Sequence, residues 1–230
     1  MNMNQWNIIT SEKATLLTAK WQEQNTLKAF LFHRNEIACI RAEKDAEKIH
    51  FYFGLNKGVV EMIAVGVAGD GEDIIGNDTN SKIYNFAMPC PSTCDMRSPL
   101  YHGAVIENNP VTFRVPPENL SCIERLQEIS LNTAITWTLA WQKQHPLKSF
   151  LYDLNQLAIA MDRTESASIR VYFGLDESNN KLPFSIMVGV NSKGEDDVTK
   201  ILQINKTTLC SKENEFSSSC NEKSPLYHGV

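Results

Sequence analysis

The residues best suited to chemistry gather near the ends of two matched stretches. Cys90, Cys94 and His102 form a C-x3-C-x7-H pattern, and Cys210, Cys220 and His228 form C-x9-C-x7-H. Thiolate and imidazole are the preferred ligands of zinc, and the interval from the second Cys to His is the same in both sets. Zinc is therefore the one cofactor these spacings suggest. Each set supplies three ligands where a closed structural site needs four. The interval between cysteines also differs, and the candidate fourth ligand Asp95 is matched by Asn221. The same residues can instead form disulfides Cys90–Cys94 and Cys210–Cys220, or stand as free thiols in docked tails, and spacing leaves the three readings open. Cys39 and Cys122 have no matched cysteine (Cys39 stands opposite Ile159) and read as small hydrophobes.

His102 and His228 lie in the longest uninterrupted identity of the chain, Ser98-Pro-Leu-Tyr-His-Gly103 against Ser224-Pro-Leu-Tyr-His-Gly229. They are the only histidines present in both stretches, and so the only matched candidates for proton transfer. Leu100, Tyr101, Leu226 and Tyr227 would anchor each tail in an apolar groove. The pairs Glu72-Asp73 and Glu195-Asp196 follow a turn glycine; two carboxylates are too few for a calcium loop, and the pattern reads as a solvated turn. Trp21 and Trp141 share a helical register with Leu17 and Trp137, which points to core packing. Walker, dinucleotide-binding and Gly-x-Ser-x-Gly patterns are absent.

The elements that would position these residues also come in pairs. Residues 21–55 laid on 141–175 give 14 identities in 35 positions, where ordinary composition gives about two by chance. After a three-residue insertion the match continues through Val65-Gly66-Val67 with Val188-Gly189-Val190, and Gly71-Glu72-Asp73 with Gly194-Glu195-Asp196. The reading is a tandem duplication: a first repeat over 1–107, a Pro-rich linker over 108–117 and a second repeat over 118–230. The two repeats are expected to pack on each other as a pseudo-dimer.

Each repeat opens with a helix signal, Thr10 or Ser130 as N-cap behind Ile9 or Ile129. Residues 147–152 fit either a strand leading to a helix capped by Asp153 or one continuous helix, with a helix over about 153–162 favoured. Three alternating segments follow in each repeat, joined by short turns that imply an antiparallel meander. A sheet this small needs cover, so the fold class is α+β: two tandem copies of a small two-layer unit, each a β-meander covered by helices. The run Tyr52-Phe53-Gly54-Leu55, Val65-Gly66-Val67, Gly71-Glu72-Asp73 and the late Cys90-Pro-x-x-Cys94 resembles a family of uncharacterised bacterial proteins. The second repeat departs from it at Thr208-Leu209-Cys210 and in the longer step to Cys220. The resemblance covers most of each repeat and implies no activity.

Of the residues, 42% are hydrophobic and 21% charged, ordinary for a globular protein. The net charge of −5 comes without a basic cluster, which argues against nucleic acid as a partner. No apolar run approaches the length of a membrane helix, and the N-terminus lacks a secretory pattern. A soluble, cytoplasmic protein is expected, export by another route remaining open, with reduced cysteines. The expected function is a non-enzymatic binding or interaction module for a protein or small-molecule partner. The alternatives are a metal- or redox-linked protein using the Cys/His sets, and an enzyme with an unfamiliar site near His102 or His228.

Overall fold

The two helices announced by Thr10 and Ser130 form as the capping signals require. The Thr10 and Ser130 hydroxyls accept from the backbone N–H of Lys13 and Thr133, starting α1 (Ser11–Gln22) and α4 (Leu131–Gln142). The ambiguous segment after each helix resolves as a strand followed by a helix: β2 (Ala29–His33) and α2 (Arg34–Arg41), then β6 (Leu147–Asp153) and α5 (Leu154–Thr164). Asp153 Oδ1 accepts from Gln156 N at 2.9 Å, the cap that its position suggests. The meanders are β3 (Lys48–Asn56), β4 (Val59–Val67) and β5 (Ile83–Pro89), and β7 (Ser168–Leu175), β8 (Pro183–Val190) and β9 (Asp196–Ile204). Three short elements escaped the sequence reading: β1 (Trp6–Ile9), α3 (Cys122–Leu126) and β10 (Thr208–Ser211).

This computed structural model describes residues 6–77, 80–90, 93–104, 117, 119–175, 183–204, 208–211 and 221–228. It is an α+β structure in which every strand pairing among the described residues is antiparallel. Among the described residues no helix is long and apolar enough to cross a membrane. The linker expected at 108–117 lies outside the described residues except for Pro117.

The chain divides into two compact units, and these do not follow the division at 1–107 and 118–230. The first unit takes Met1–Arg34, Met88–Val115 and Ala158–Thr207; the second takes Asn35–Ala87, Pro116–Leu157 and Thr208–Val230. Each therefore draws on both matched stretches of the sequence. The physical reason lies in strand pairing. A three-stranded meander keeps an open edge on its first strand, and an unpaired edge of β3 or β7 seeks a partner. The partner comes from the other matched stretch in both cases.

In the first unit the order is β1-β9-β8-β7-β2, with β2 also meeting the last two residues of β5. Ala29–His33 runs against Tyr172–Ser168. Helix α1 packs on β7, where the Trp21 and Phe173 rings stand 5.2 Å apart. The core joins Ala14, Leu17, Ala29, Leu100, Tyr172, Phe184, Ile186, Val188 and Ile201 with Cys90 and Cys94.

In the second unit β5, β4, β3, β6 and β10 are neighbours in that order. Lys48–Tyr52 runs against Asp153–Ser149, and β10 closes the outer edge of β6. Helix α4 packs on β3, with Phe53 and Trp141 stacked at 5.1 Å. Its close approach explains Gly54: a Cβ there would stand 2.9 Å from Trp137 Cβ. Tyr52, Ile63, Val65, Ile83, Ala134 and Leu226 form the core beneath the helix.

Cys39 and Cys122, read from sequence as unpaired hydrophobes, are joined in a disulfide between α2 and α3, 83 residues apart with Cα atoms 5.4 Å from each other. Their lack of matched partners elsewhere follows, because each is the other's partner. Cys90 and Cys94 are bonded as well, Cys210 is disulfide-bonded, and no described cysteine is free. Cys220 lies outside the described residues. Titration of unfolded protein purified without reductant should find at most one free thiol. The paired substitution Cys39→Ser/Cys122→Ser should lower unfolding stability by about 2–4 kcal/mol in urea denaturation. Six titratable thiols in such protein would contradict the bonded state.

Candidate functional site

Two matched carboxylates organise the candidate sites. Glu72-Asp73 and Glu195-Asp196, read from sequence as solvated turns, turn only their glutamates toward solvent. The side chains of Asp73 and Asp196 are 1% and 0% exposed. A carboxylate removed from water must be given donors in its place. In the second unit Asp73 Oδ2 accepts from Tyr52 OH at 2.7 Å and from Ser224 Oγ at 2.5 Å, while Oδ1 meets His50 Nδ1 at 2.7 Å. In the first unit Asp196 Oδ2 accepts from Tyr172 OH at 2.6 Å, and Oδ1 takes Arg170 Nη1. Ser98 also hydrogen-bonds Asp196. Tyr52 matches Tyr172, Ser224 matches Ser98 and His50 matches Arg170, so the same four positions build both clusters.

Ser98 and Ser224 begin the repeated hexapeptide, and the rest of each tail lies along a helix. Leu100 and Leu226 are fully buried in the two cores. Gln22 Nε2 donates to Leu100 O at 2.7 Å and its Oε1 accepts from His102 N at 2.8 Å. Gln142 does the same for Leu226 O and His228 N, at 2.9 Å each. Lys28 and Lys148 cap the His102 and His228 carbonyls, and their ammonium groups lie 4.9 and 4.1 Å from the Tyr101 and Tyr227 ring centroids. His102 Nε2 meets Thr18 Oγ1, and His228 Nε2 meets Thr138 Oγ1, at 3.1 Å in both. Each threonine hydroxyl also reaches the carbonyl four residues earlier, Ala14 or Ala134. Its single proton goes there, so the histidine is the donor to the hydroxyl oxygen.

Electrostatics fit this static picture. Burial pushes the Asp73 carboxyl up, but the hydrogen bond and charge of His50, with the hydroxyls of Ser224 and Tyr52, outweigh it and hold the carboxyl below its ordinary value. Burial and the adjoining carboxylates raise the Tyr52 and Tyr172 phenols well above theirs, so both remain donors. Burial, assisted by Lys28 or Lys148, lowers both tail histidines against the opposing Thr15 and Ile135 carbonyls. They are neutral imidazoles at neutral pH.

Of the six residues singled out as metal ligands, Cys90 and Cys94 are tied to each other, Cys210 is also bonded, and Cys220 lies outside the described residues. His102 and His228 are brought to threonines. Among the described residues no three His, Cys, Asp or Glu side chains are grouped to hold a metal ion. The Cys90–Cys94 loop has a different place: Thr93 O accepts from Arg170 Nη2 at 2.7 Å, and Asp95 Oδ2 accepts from Asp196 N at 3.0 Å. The residues that sequence reasoning missed are Thr18, Thr138, Asp73, Asp196 and the serines as carboxylate donors. All are identical between repeats, and identity of a polar residue across copies is the signal that would have found them.

A pocket of about 150 Å³ opens beside Asp73, lined by Glu72, Ile75, Asn221, Lys223, Ser224 and Pro225. Pockets for drug-sized ligands usually run from about 300 to 1,000 Å³, and this one is smaller. The folded-state pKa of Asp73 lies below the unfolded value of about 3.9. Its contribution to stability is therefore present above that pH and lost as pH falls through the folded value. Ser224→Ala should cost about 1.5–3 kcal/mol at pH 7 by thermal or urea unfolding. Asp73→Asn should flatten the decline of stability below about pH 4. An unchanged acid limb in Asp73→Asn would show that this carboxylate is not held as described. No family model matches this chain, and no curated protein or solved structure does either.

Proposed function

We propose that the chain is a non-enzymatic binding or interaction module, built by tandem duplication, whose matched polar residues serve to clamp two tails. One observation carries this reading: the matched polar side chains spend their hydrogen bonds on each other and on tail backbone. Gln22, Lys28, His102, Asp196 and their counterparts Gln142, Lys148, His228 and Asp73 all do so. Catalysis needs a reactive atom facing substrate with a base in reach. Ser224 instead donates to a carboxylate held weakly basic, and His50 sits on the opposite carboxylate oxygen. Two matched sockets in one chain favour a repeated or symmetric partner, for which tethering multiplies affinity without new contacts.

A second reading, a redox-linked protein, draws on the Cys90–Cys94 disulfide, whose loop holds Thr93 and Asp95 against the buried Arg170–Asp196 pair. Bonded cysteines also favour an oxidising compartment over the cytoplasmic one expected from the sequence. The test of the module reading uses p-nitrophenyl ester, phosphate and glycoside substrates with the intact protein, Ser98→Ala, Ser224→Ala and His228→Ala. The expected result is no turnover above buffer for any of them, and lowered melting temperatures for the variants. Turnover by the intact protein that disappears in Ser224→Ala while the melting temperature holds would overturn the reading in favour of an enzyme.

A further inference from the structure

We infer that each clamp is a sequence-specific peptide-binding site whose ligand is the segment Ser-Pro-Leu-Tyr-His, filled here by the chain's own tail and able to take the same segment from a second copy of this chain. The inference rests on the module reading and names its ligand. Three features mark a peptide site. The main chain is read first: Gln142 grips the Leu226 carbonyl and the His228 amide together, and Lys148 takes the His228 carbonyl at 2.9 Å. These are the contacts by which a protein holds any peptide in one register. Side chains are read next, each by a different chemistry. Asp73 takes the Ser224 hydroxyl, an apolar pocket takes Leu226, the Lys148 ammonium lies on the Tyr227 ring, and Thr138 meets the His228 imidazole.

The reading groups are also buried around the seated tail. Thr138, Gln142 and Lys148 are each at least 97% buried, and the Asp73 side chain is 99% buried. Buried polar groups left without partners are costly, so a socket emptied of its tail is driven to refill. The first unit supplies the second argument, for the source of the ligand. Gln22, Lys28, Thr18 and Asp196 hold the same five residue types with the same set of contacts. A segment that satisfies one socket therefore carries everything the other reads, and a second copy of the chain presents it twice. In the intact chain the attached tail competes at the high effective concentration of a tethered ligand, which keeps free peptide out.

The experiment uses the chain with residues 224–230 deleted and a fluorescein-labelled peptide Glu-Lys-Ser-Pro-Leu-Tyr-His-Gly-Val. Anisotropy should show saturable binding to the shortened chain and none to the intact one. Peptide with Ala in place of Leu should bind about tenfold or more weakly, as should wild-type peptide to the shortened chain carrying Lys148→Ala. Where the shortened chain does not fold alone, the peptide should restore its circular dichroism and a cooperative melt. Equal binding of the Ala peptide, or neither binding nor restored folding, overturns the site. For the source, intact chain carrying Lys148→Ala, its tail loosened, is mixed with the shortened chain and should sediment as a complex of two chains. Peptide capture without that complex overturns the second copy as donor. These outcomes leave the substrate panel untouched, so failure here is separable from failure of the module reading.

Discussion

The interaction on which the rest depends is the burial of one carboxylate in each compact unit. Removing a charged carboxylate from water carries a penalty of several kcal/mol in a real protein, offset only where donors replace the lost water with good geometry. Asp73 and Asp196 each receive a phenol from a meander strand, a basic side chain from the same strand and a serine hydroxyl from a tail. Two of the three donors lie two residues apart on a strand, the period that points alternate side chains to one face. The third cannot be local. It must be delivered by a tail distant in sequence: 98 residues separate Ser98 from Asp196, and 151 separate Asp73 from Ser224.

That demand explains why each unit is assembled from both matched stretches of the chain. Asp73 belongs to the first repeat and Ser224 to the second, while Asp196 belongs to the second and Ser98 to the first. The strand pairings obey the same rule, β2 of the first repeat on β7 of the second and β6 of the second on β3 of the first. Helix cover follows suit, since α1 lies on β7 and α4 on β3. A half-chain folding by itself would leave a buried acid one donor short and a strand edge open. Exchange answers both needs with one set of contacts.

The elements were legible in the sequence because their signals are local. Thr10 and Ser130 cap their helices through a hydrogen bond spanning three residues, and Asp153 caps α5 the same way. The meander strands pair antiparallel in the expected order, and Lys57-Gly58 makes the short turn from β3 to β4. What the sequence hid was every contact requiring distance. Glu72-Asp73 has the composition of a solvated turn, and only the arrival of Ser224 with Tyr52 and His50 beneath makes Asp73 an interior group. Cys39 opposite Ile159 looked solitary because its partner Cys122 lies before the matched helix and belongs to no copied pattern. The Cys/His spacing suggested zinc because spacing cannot register that Cys90 already holds Cys94 while His102 faces Thr18.

The two clusters differ at one position, and the difference follows from what a carboxylate asks of its neighbour. Oδ1 needs a donor and does not specify which, so His50 and Arg170 both serve. The guanidinium brings permanent charge and extra donors: Arg170 Nη2 reaches Thr93 O and Gly194 O, drawing in the Cys90–Cys94 loop. Around it Asp95 accepts from Asp196 N, and the surroundings close. The imidazole at position 50 makes fewer demands; Asn221 stands where Asp95 does in the other unit, and the pocket beside Ser224 stays open. The clamp is thus common to both units, and its serine is equally shielded in each, Ser98 being 6% and Ser224 5% exposed.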